Sequence, residues 1–241
     1  MRVTELELLS IWEQGIDRPM FERALLLLEA VSDQSMDSLA TLSIGQRDLK
    51  LLELREALFG RSVPCIVACP SCNEHLELNF DSDELRVSGK MGDVQPEYML
   101  ETGDFILQYR LPNSIDLSLA SSVDTNGRDL LLQNCLMTAR QGARELVYTE
   151  LPPNVLDALS SAMAEADLQS HLELALTCPV CEHDWSAVFD IVSYLWSEIQ
   201  NWAMRTMREV SLLARAFGWS ESEILALSPL RRQLYLQGAR I

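Results

Sequence analysis

Two stretches of this chain spell the same cysteine motif. One reads CPSCNEHLELNFD from Cys69 to Asp81, and the other CPVCEHDWSAVFD from Cys178 to Asp190. Each runs Cys-Pro-x-Cys, three polar residues, a large apolar residue, three more residues, then Phe-Asp. Leu76 thus answers Trp185, and Phe80 answers Phe189. Two residues between cysteines let a tight turn aim both sulfurs at one point. Four thiolates from two such turns close a tetrahedron around zinc at about 2.3 Å. The spacing predicts one structural Zn2+ held by Cys69, Cys72, Cys178 and Cys181. The competing readings are a redox pair or four packed cysteines. A thioredoxin-like pair follows a strand and opens a helix; here a strand pattern follows each pair, which argues against it.

These cysteines need rigid elements to carry them. Val63, Cys65 and Val67 alternate before Cys69, as Leu172, Leu174 and Leu176 alternate before Cys178. Period-two alternation marks half-buried strands. Each copy reads as strand, turn, strand, so residues 63–81 and 171–190 form two β-hairpin knuckles of one split zinc ribbon. The residue after the second cysteine of a knuckle often takes positive φ, which favours Gly or Asn. Asn73 fits, whereas Glu182 implies a strained or differently shaped turn. Cys65 aligns with Leu174 and reads as a small core residue, and Cys135 lies in an apolar helical pattern. His75 and His183 read as surface residues, and His171 falls in the strand before Cys178.

About 105 residues separate the knuckles, too many for a loop. Residues 82–103, with Gly89, Gly92, Pro96 and Gly103, read as a loose acidic connector. Residues 104–111 alternate as a strand. Asn113 or Ser114 caps a short helix, residues 127–140 give a second helical pattern, and 152–166 a third with proline in its first turn. Residues 82–170 are therefore expected to form an inserted, mostly helical lobe. Residues 1–62 read as an N-terminal helical segment. In it, Ser43 caps a helix whose apolar face carries Leu49, Leu52, Leu54, Ala57 and Leu58, and Gly60 ends it. Residues 191–241 read as a C-terminal helical tail: a long helix to Phe217, a capping box from Ser220 to Glu223, and a last helix after Ser228-Pro229. The fold class is α+β and mostly helical. Trp196, Trp202, Trp219, Tyr235, Arg231 and Arg232 cluster in the tail. Packing explains most of them; as exposed groups they would be partner anchors, since aromatics and arginines are enriched at interface hot spots.

The formal net charge is −17, a field that repels phosphate backbones, so nucleic acid is not an expected partner. Only Lys50 and Lys90 are lysines; the other basic residues are arginines, suited to fixed contacts with carboxylates. No apolar run is long enough to span a bilayer, and the acidic N-terminal stretch does not read as a signal peptide. The expectation is a soluble protein made in the cytoplasm, without a membrane partner. No phosphate loop, His-Glu-x-x-His or Gly-x-Ser-x-Gly occurs, so neither catalysis nor a small-molecule substrate is expected.

Several segments resemble a known family. LSIGQRDLKLLELREALFG, RLPNSIDLSLA, the paired CPSC and CPVC knuckles, and the ending WAMRTMREVSLLARAFGWSESEILALSPLRRQLYLQ are similar to small baseplate proteins of contractile-tailed phages and phage-like contractile injection systems. The likeness spans about residues 40–80 and 105–240. It implies a non-enzymatic structural or assembly component of a baseplate, built in the cytoplasm, with other tail proteins as partners. The alternative from the residues alone is a zinc-ribbon adaptor in transcription or RNA complexes, which the acidic charge disfavours.

Overall fold

The computed structural model describes residues 3–87, 95–122 and 126–239. In chain order the helices are α1 (Glu5–Gly15), α2 (Met20–Glu29), α3 (Met36–Ala40) and α4 (Ile44–Phe59). A hairpin follows, β1 (Ser62–Ala68) and β2 (His75–Asp81), then β3 (Tyr98–Thr102) and β4 (Phe105–Tyr109). Next come α5 (Ser114–Ser121), α6 (Gly127–Cys135), β5 (Leu136–Gln141), β6 (Arg144–Glu145) and α7 (Pro153–Ala166). The second hairpin, β7 (Leu172–Thr177) and β8 (Asp184–Phe189), precedes α8 (Ile191–Phe217), α9 (Glu221–Leu225) and α10 (Pro229–Gly238). The fold is α+β, with small antiparallel sheets among many helices.

Two compact units result: Met1–Ser32 with Val192–Ile241, and Asp33–Ile191. In the first, α1 and α2 bury Leu8, Leu9, Trp12 and the run Ala24 to Leu28, and α8 buries Leu195, Trp196, Ile199, Ala203 and Leu213. The apolar residues of α8 recur every three or four positions, so one side of a 27-residue helix is buried. Trp12 Nε1 donates to Gln200 Oε1 at 2.6 Å, and the Arg23 guanidinium lies 4.7 Å over the Trp196 ring. Gly15 meets that ring so closely that an added Cβ would lie 2.3 Å from it.

In the second unit, β3-β4-β5-β6 form an antiparallel sheet. Its inner face presents Leu107, Tyr109 and Ala139 to Leu132 and Cys135 of α6 and to Val155, Leu159 and Met163 of α7. The turns Gly103-Asp104 and Gly142-Ala143 are two residues long, and both glycines take positive φ as such hairpins require.

This sheet revises the expected insertion. Residues 98–102, read as part of a connector, are a strand, because they pair with β4. Gly89 and Gly92 of that connector lie outside the described residues. The helical pattern at 127–140 stops at Cys135, and Leu136–Gln141 pairs with β4 instead. A sheet edge offered by β4 outweighs the local helical periodicity. His171 precedes β7 rather than lying in it. The buried face of α4 also differs. Ala57 is exposed, and Arg47, Asp48, Leu51, Leu52, Leu54 and Arg55 are buried. The expected caps do form: Ser43, Asn113 and Ser220 accept from backbone amides two or three residues on, and Gly60 ends α4 at φ 86°.

Candidate metal centre

The two Cys-Pro-x-Cys turns have one geometry. Asn73 N–H donates to Cys69 O and Cys69 N–H to Glu74 O, at 2.9 and 2.8 Å; Glu182 N–H donates to Cys178 O and Cys178 N–H to His183 O, at 3.0 and 2.9 Å. Asn73 and Glu182 both take left-handed backbone, φ 61° and 57°. The second turn is therefore the same shape as the first, held with a residue that pays about 1 kcal/mol for it. The strands run in matched register, Val67↔Leu76 in one hairpin and Leu176↔Trp185 in the other. Leu76, Leu78 and Trp185 pack around the buried Cys69 and Cys178, as the aligned repeat predicts.

The hairpins bring the four predicted cysteines together. Cys69 Sγ lies 3.7 Å from Cys181 Sγ, Cys72 Sγ lies 3.6 Å from Cys178 Sγ, and all four sulfurs are within 4.8 Å of one another. A tetrahedral ion bonded to sulfur at about 2.3 Å sets sulfurs about 3.8 Å apart. The donor set thus fits one closed four-coordinate ion. Cys69 and Cys178 are buried, whereas Cys72 and Cys181 face solvent. The Cys181 and Val180 amides pull the Cys178 thiol down to about 7. At Cys72 the Glu74 amide pulls the same way, but crowding by Cys181 and the other thiols pushes it up to about 12. Cys65 and Cys135 lie outside the cluster, and so do His75, His171 and His183.

Sequence reasoning missed what holds the hairpin roots. Gln169, buried just before β7, donates from Nε2 to Leu85 O at 3.1 Å and accepts from Val87 N–H at 2.9 Å. It uses its amide as a strand would, tying the exit of the first hairpin to the entry of the second. A second tie joins the segments LSIGQRD and RLPNSID. Ser43 and Asn113, the caps of α4 and α5, form an antiparallel bridge, and Ile44 N–H donates to Pro112 O. Asp167 Oδ2 accepts from Gly45 N–H at 2.9 Å, and a Cβ at Gly45 would lie 1.8 Å from that carboxylate. Only glycine lets the backbone approach so closely. Arg47 pairs with Asp48 at 2.7 Å, and Arg110 grips Asp116 through both terminal nitrogens. A polar network at a helix face has no hydropathy signal, so the only clue was the oddity of charge beside Gly45.

Burial pushes the Asp48 carboxyl up to about 6 from its ordinary 3.8; Arg47 pulls it down, and Asp190 and Asp167 push it further up. The folded chain therefore holds a proton that the unfolded chain releases between about pH 4 and 6. Stability from this group is present below pH 4 and lost as pH rises through 6. Asp48→Asn removes the titration. Its stability relative to wild type should rise by about 3 kcal/mol between pH 4 and 7 in urea melts; a gap that does not move with pH would mean Asp48 titrates as in the unfolded chain.

The tail residues divide. Trp196 and Arg232 are buried within their own unit, so neither is a partner anchor. Trp196 fills the space left by Gly15, and Arg232 pairs with Glu5 and Glu209 at 2.6 and 3.0 Å. Trp202 is half-buried in α8, while Trp219, Tyr235 and Arg231 line a surface cavity.

The family model described as T4 bacteriophage base plate protein matches residues 5–196. No curated protein and no solved structure matches the chain. The match takes in both hairpins, the Ser43–Asn113 bridge and the insertion, and it stops at Trp196. The likeness read in the ending WAMRTMREVSLLARAFGWS lies beyond it. Residues 5–196 are most of a 241-residue chain, and the chain belongs to the T4 bacteriophage base plate protein family.

Proposed function

We propose that this chain is a non-enzymatic structural or assembly component of a contractile tail or phage-like injection-system baseplate, stapled by one zinc ion on Cys69, Cys72, Cys178 and Cys181. The observation that carries this reading is the convergence of four thiols from hairpins more than 100 residues apart (106 and 112 between facing cysteines) inside the family-matched region. Four soft thiolates in a tetrahedral array suit zinc or iron. Of the two, zinc suits paired Cys-Pro-x-Cys hairpins, the knuckles of a four-cysteine zinc ribbon. A closed four-sulfur site leaves no open position for water or substrate, so the ion serves as a staple. The partners are other tail and baseplate proteins, met in the cytoplasm during assembly. Among the described residues no helix is long and apolar enough to cross a membrane.

Tail particles prepared from the native host test the assembly role. Mass spectrometry should find the chain with sheath, tube and spike proteins, or cells lacking its gene should yield particles without baseplates. Intact baseplates in its absence, with no association at any stage, would exclude it.

A further inference from the structure

We propose that the cysteine cluster is a staple in two oxidation states: when a hydroperoxide oxidises it, the ion leaves, and two disulfides that cross between the hairpins, Cys69–Cys181 and Cys72–Cys178, take its place. The inference rests on the proposed zinc site for its starting state, and on the meeting of the four sulfurs for its outcome. Cys69 Sγ lies 3.7 Å from Cys181 Sγ, and Cys72 Sγ lies 3.6 Å from Cys178 Sγ, each pair in thiol–thiol contact. A disulfide is about 2.05 Å long, so each sulfur has to move by less than about 1 Å. Both contacts run from one hairpin to the other. Inside each Cys-Pro-x-Cys turn the backbone is fixed by its own hydrogen bonds, Asn73 N–H to Cys69 O and Glu182 N–H to Cys178 O. A bond within a turn would form against that constraint, whereas a bond between facing sulfurs leaves both turns as they are.

Each facing pair joins an exposed cysteine to a buried one, Cys181 to Cys69 and Cys72 to Cys178. Oxidant therefore reaches one sulfur of each pair from solvent. That thiolate attacks a peroxide oxygen; the O–O bond breaks, the sulfur becomes a sulfenic acid, and the other oxygen leaves and takes up a proton. The buried partner's thiolate then attacks the sulfenic sulfur. The S–S bond forms, and the expelled hydroxide takes up a proton as water. Each pair gives two electrons to one peroxide, so two peroxides and four protons convert four thiolates, and the zinc leaves as Zn2+ with its charge unchanged. Leu76, Leu78 and Trp185, packed around Cys69 and Cys178, hold the facing pairs together while this proceeds, as does the Gln169 amide across the hairpin roots. Disulfides persist where cytoplasmic reductants do not reach. Ion and disulfides thus tie the same two hairpins in the two environments.

The test treats the full chain, dilute and freed of reductant, with hydrogen peroxide. Metal content is measured first, zinc release is followed with a chromogenic chelator, and the remaining thiols are alkylated before tryptic mapping without reduction. Trypsin leaves Cys69 and Cys72 on residues 62–86 and Cys178 and Cys181 on residues 145–205. Zinc should be released as the four cluster thiols disappear, and the two peptides should be recovered as one species with two disulfides. Electron-transfer fragmentation of that species should assign Cys69 to Cys181 and Cys72 to Cys178. The oxidised chain should keep a urea midpoint above that of chelated, reduced chain, because its hairpins stay joined. Bridges closed within each peptide, Cys69–Cys72 and Cys178–Cys181, overturn the proposal. So do links between molecules, sulfinic acids in place of disulfides, or cluster thiols that survive peroxide sufficient to oxidise a free cysteine peptide. A chain found to lack zinc at the outset would sink the metal assignment alone, since the same mapping on that chain still decides the pairing.

Discussion

Cys178→Ser protein should emerge from purification with less than about a tenth of an equivalent of zinc, against one equivalent for the wild-type chain. Cys178 is buried at the centre of the cluster, and its sulfur lies 3.6 Å from that of Cys72. Serine offers a hard, neutral oxygen where a soft thiolate is needed, so three ligands remain and the site opens to water. The expected consequence for stability is large because the proposed ion would join segments far apart in the chain. Cross-linking a loop of about 100 residues limits the unfolded ensemble by about 4 to 5 kcal/mol in the chain-entropy account. Loss of the ion should lower unfolding free energy by at least about that amount. A strong chelator should destabilise the wild type to the level of Cys178→Ser and leave the variant unchanged. Cys65→Ser, outside the cluster, should keep its metal. Less than half an equivalent in carefully prepared wild-type protein would defeat the zinc assignment, and an equivalent of iron would replace it.

The second large effect is expected at a residue that looks like surface. Arg232 is 2% exposed. Its Nε donates to Glu209 at 3.0 Å, and its Nη1 donates to Leu227 O at 3.1 Å and lies 2.6 Å from Glu5. It thus joins α1, α8 and the approach to α10 within one unit. Burial pulls its pKa down, but Glu5 and Glu209 outweigh that and hold the guanidinium charged. Arg232→Met keeps much of the stem and removes the charge, leaving two carboxylates facing each other. Breaking a buried pair from one side costs about 3 to 5 kcal/mol. The glutamates are about a quarter exposed, which places the expected loss near 3 kcal/mol, read by urea unfolding. Adding Glu5→Gln and Glu209→Gln should recover much of it by removing the stranded charges. Arg231→Met, one residue earlier but exposed, should change stability by less than about 0.5 kcal/mol. Equal effects at the two arginines would mean that Arg232 is not buried as described.

What the residues determined unaided is what short-range chemistry enforces. Cys-Pro-x-Cys makes its turn by local hydrogen bonds, so the knuckle was legible twice, and the matching alternation around it specified both hairpins. Helix caps are equally local: Ser43, Asn113 and Ser220 act on amides within three residues. The tertiary structure decided everything that depends on a distant partner. The helical pattern at 127–140 gives way to a strand from Leu136 because β4 offers an edge. Residues 98–102 became a strand by the same pairing. Arg47, Asp48 and Arg232 are charged and therefore look exposed, yet burial follows from partners that no local window contains. Trp196 and Trp219 are alike by type; Gly15 encloses one, and the other is left at a cavity beside Arg231. Spacing along the chain names the four sulfurs. That they meet at 3.6 and 3.7 Å across more than 100 residues is a property of the fold.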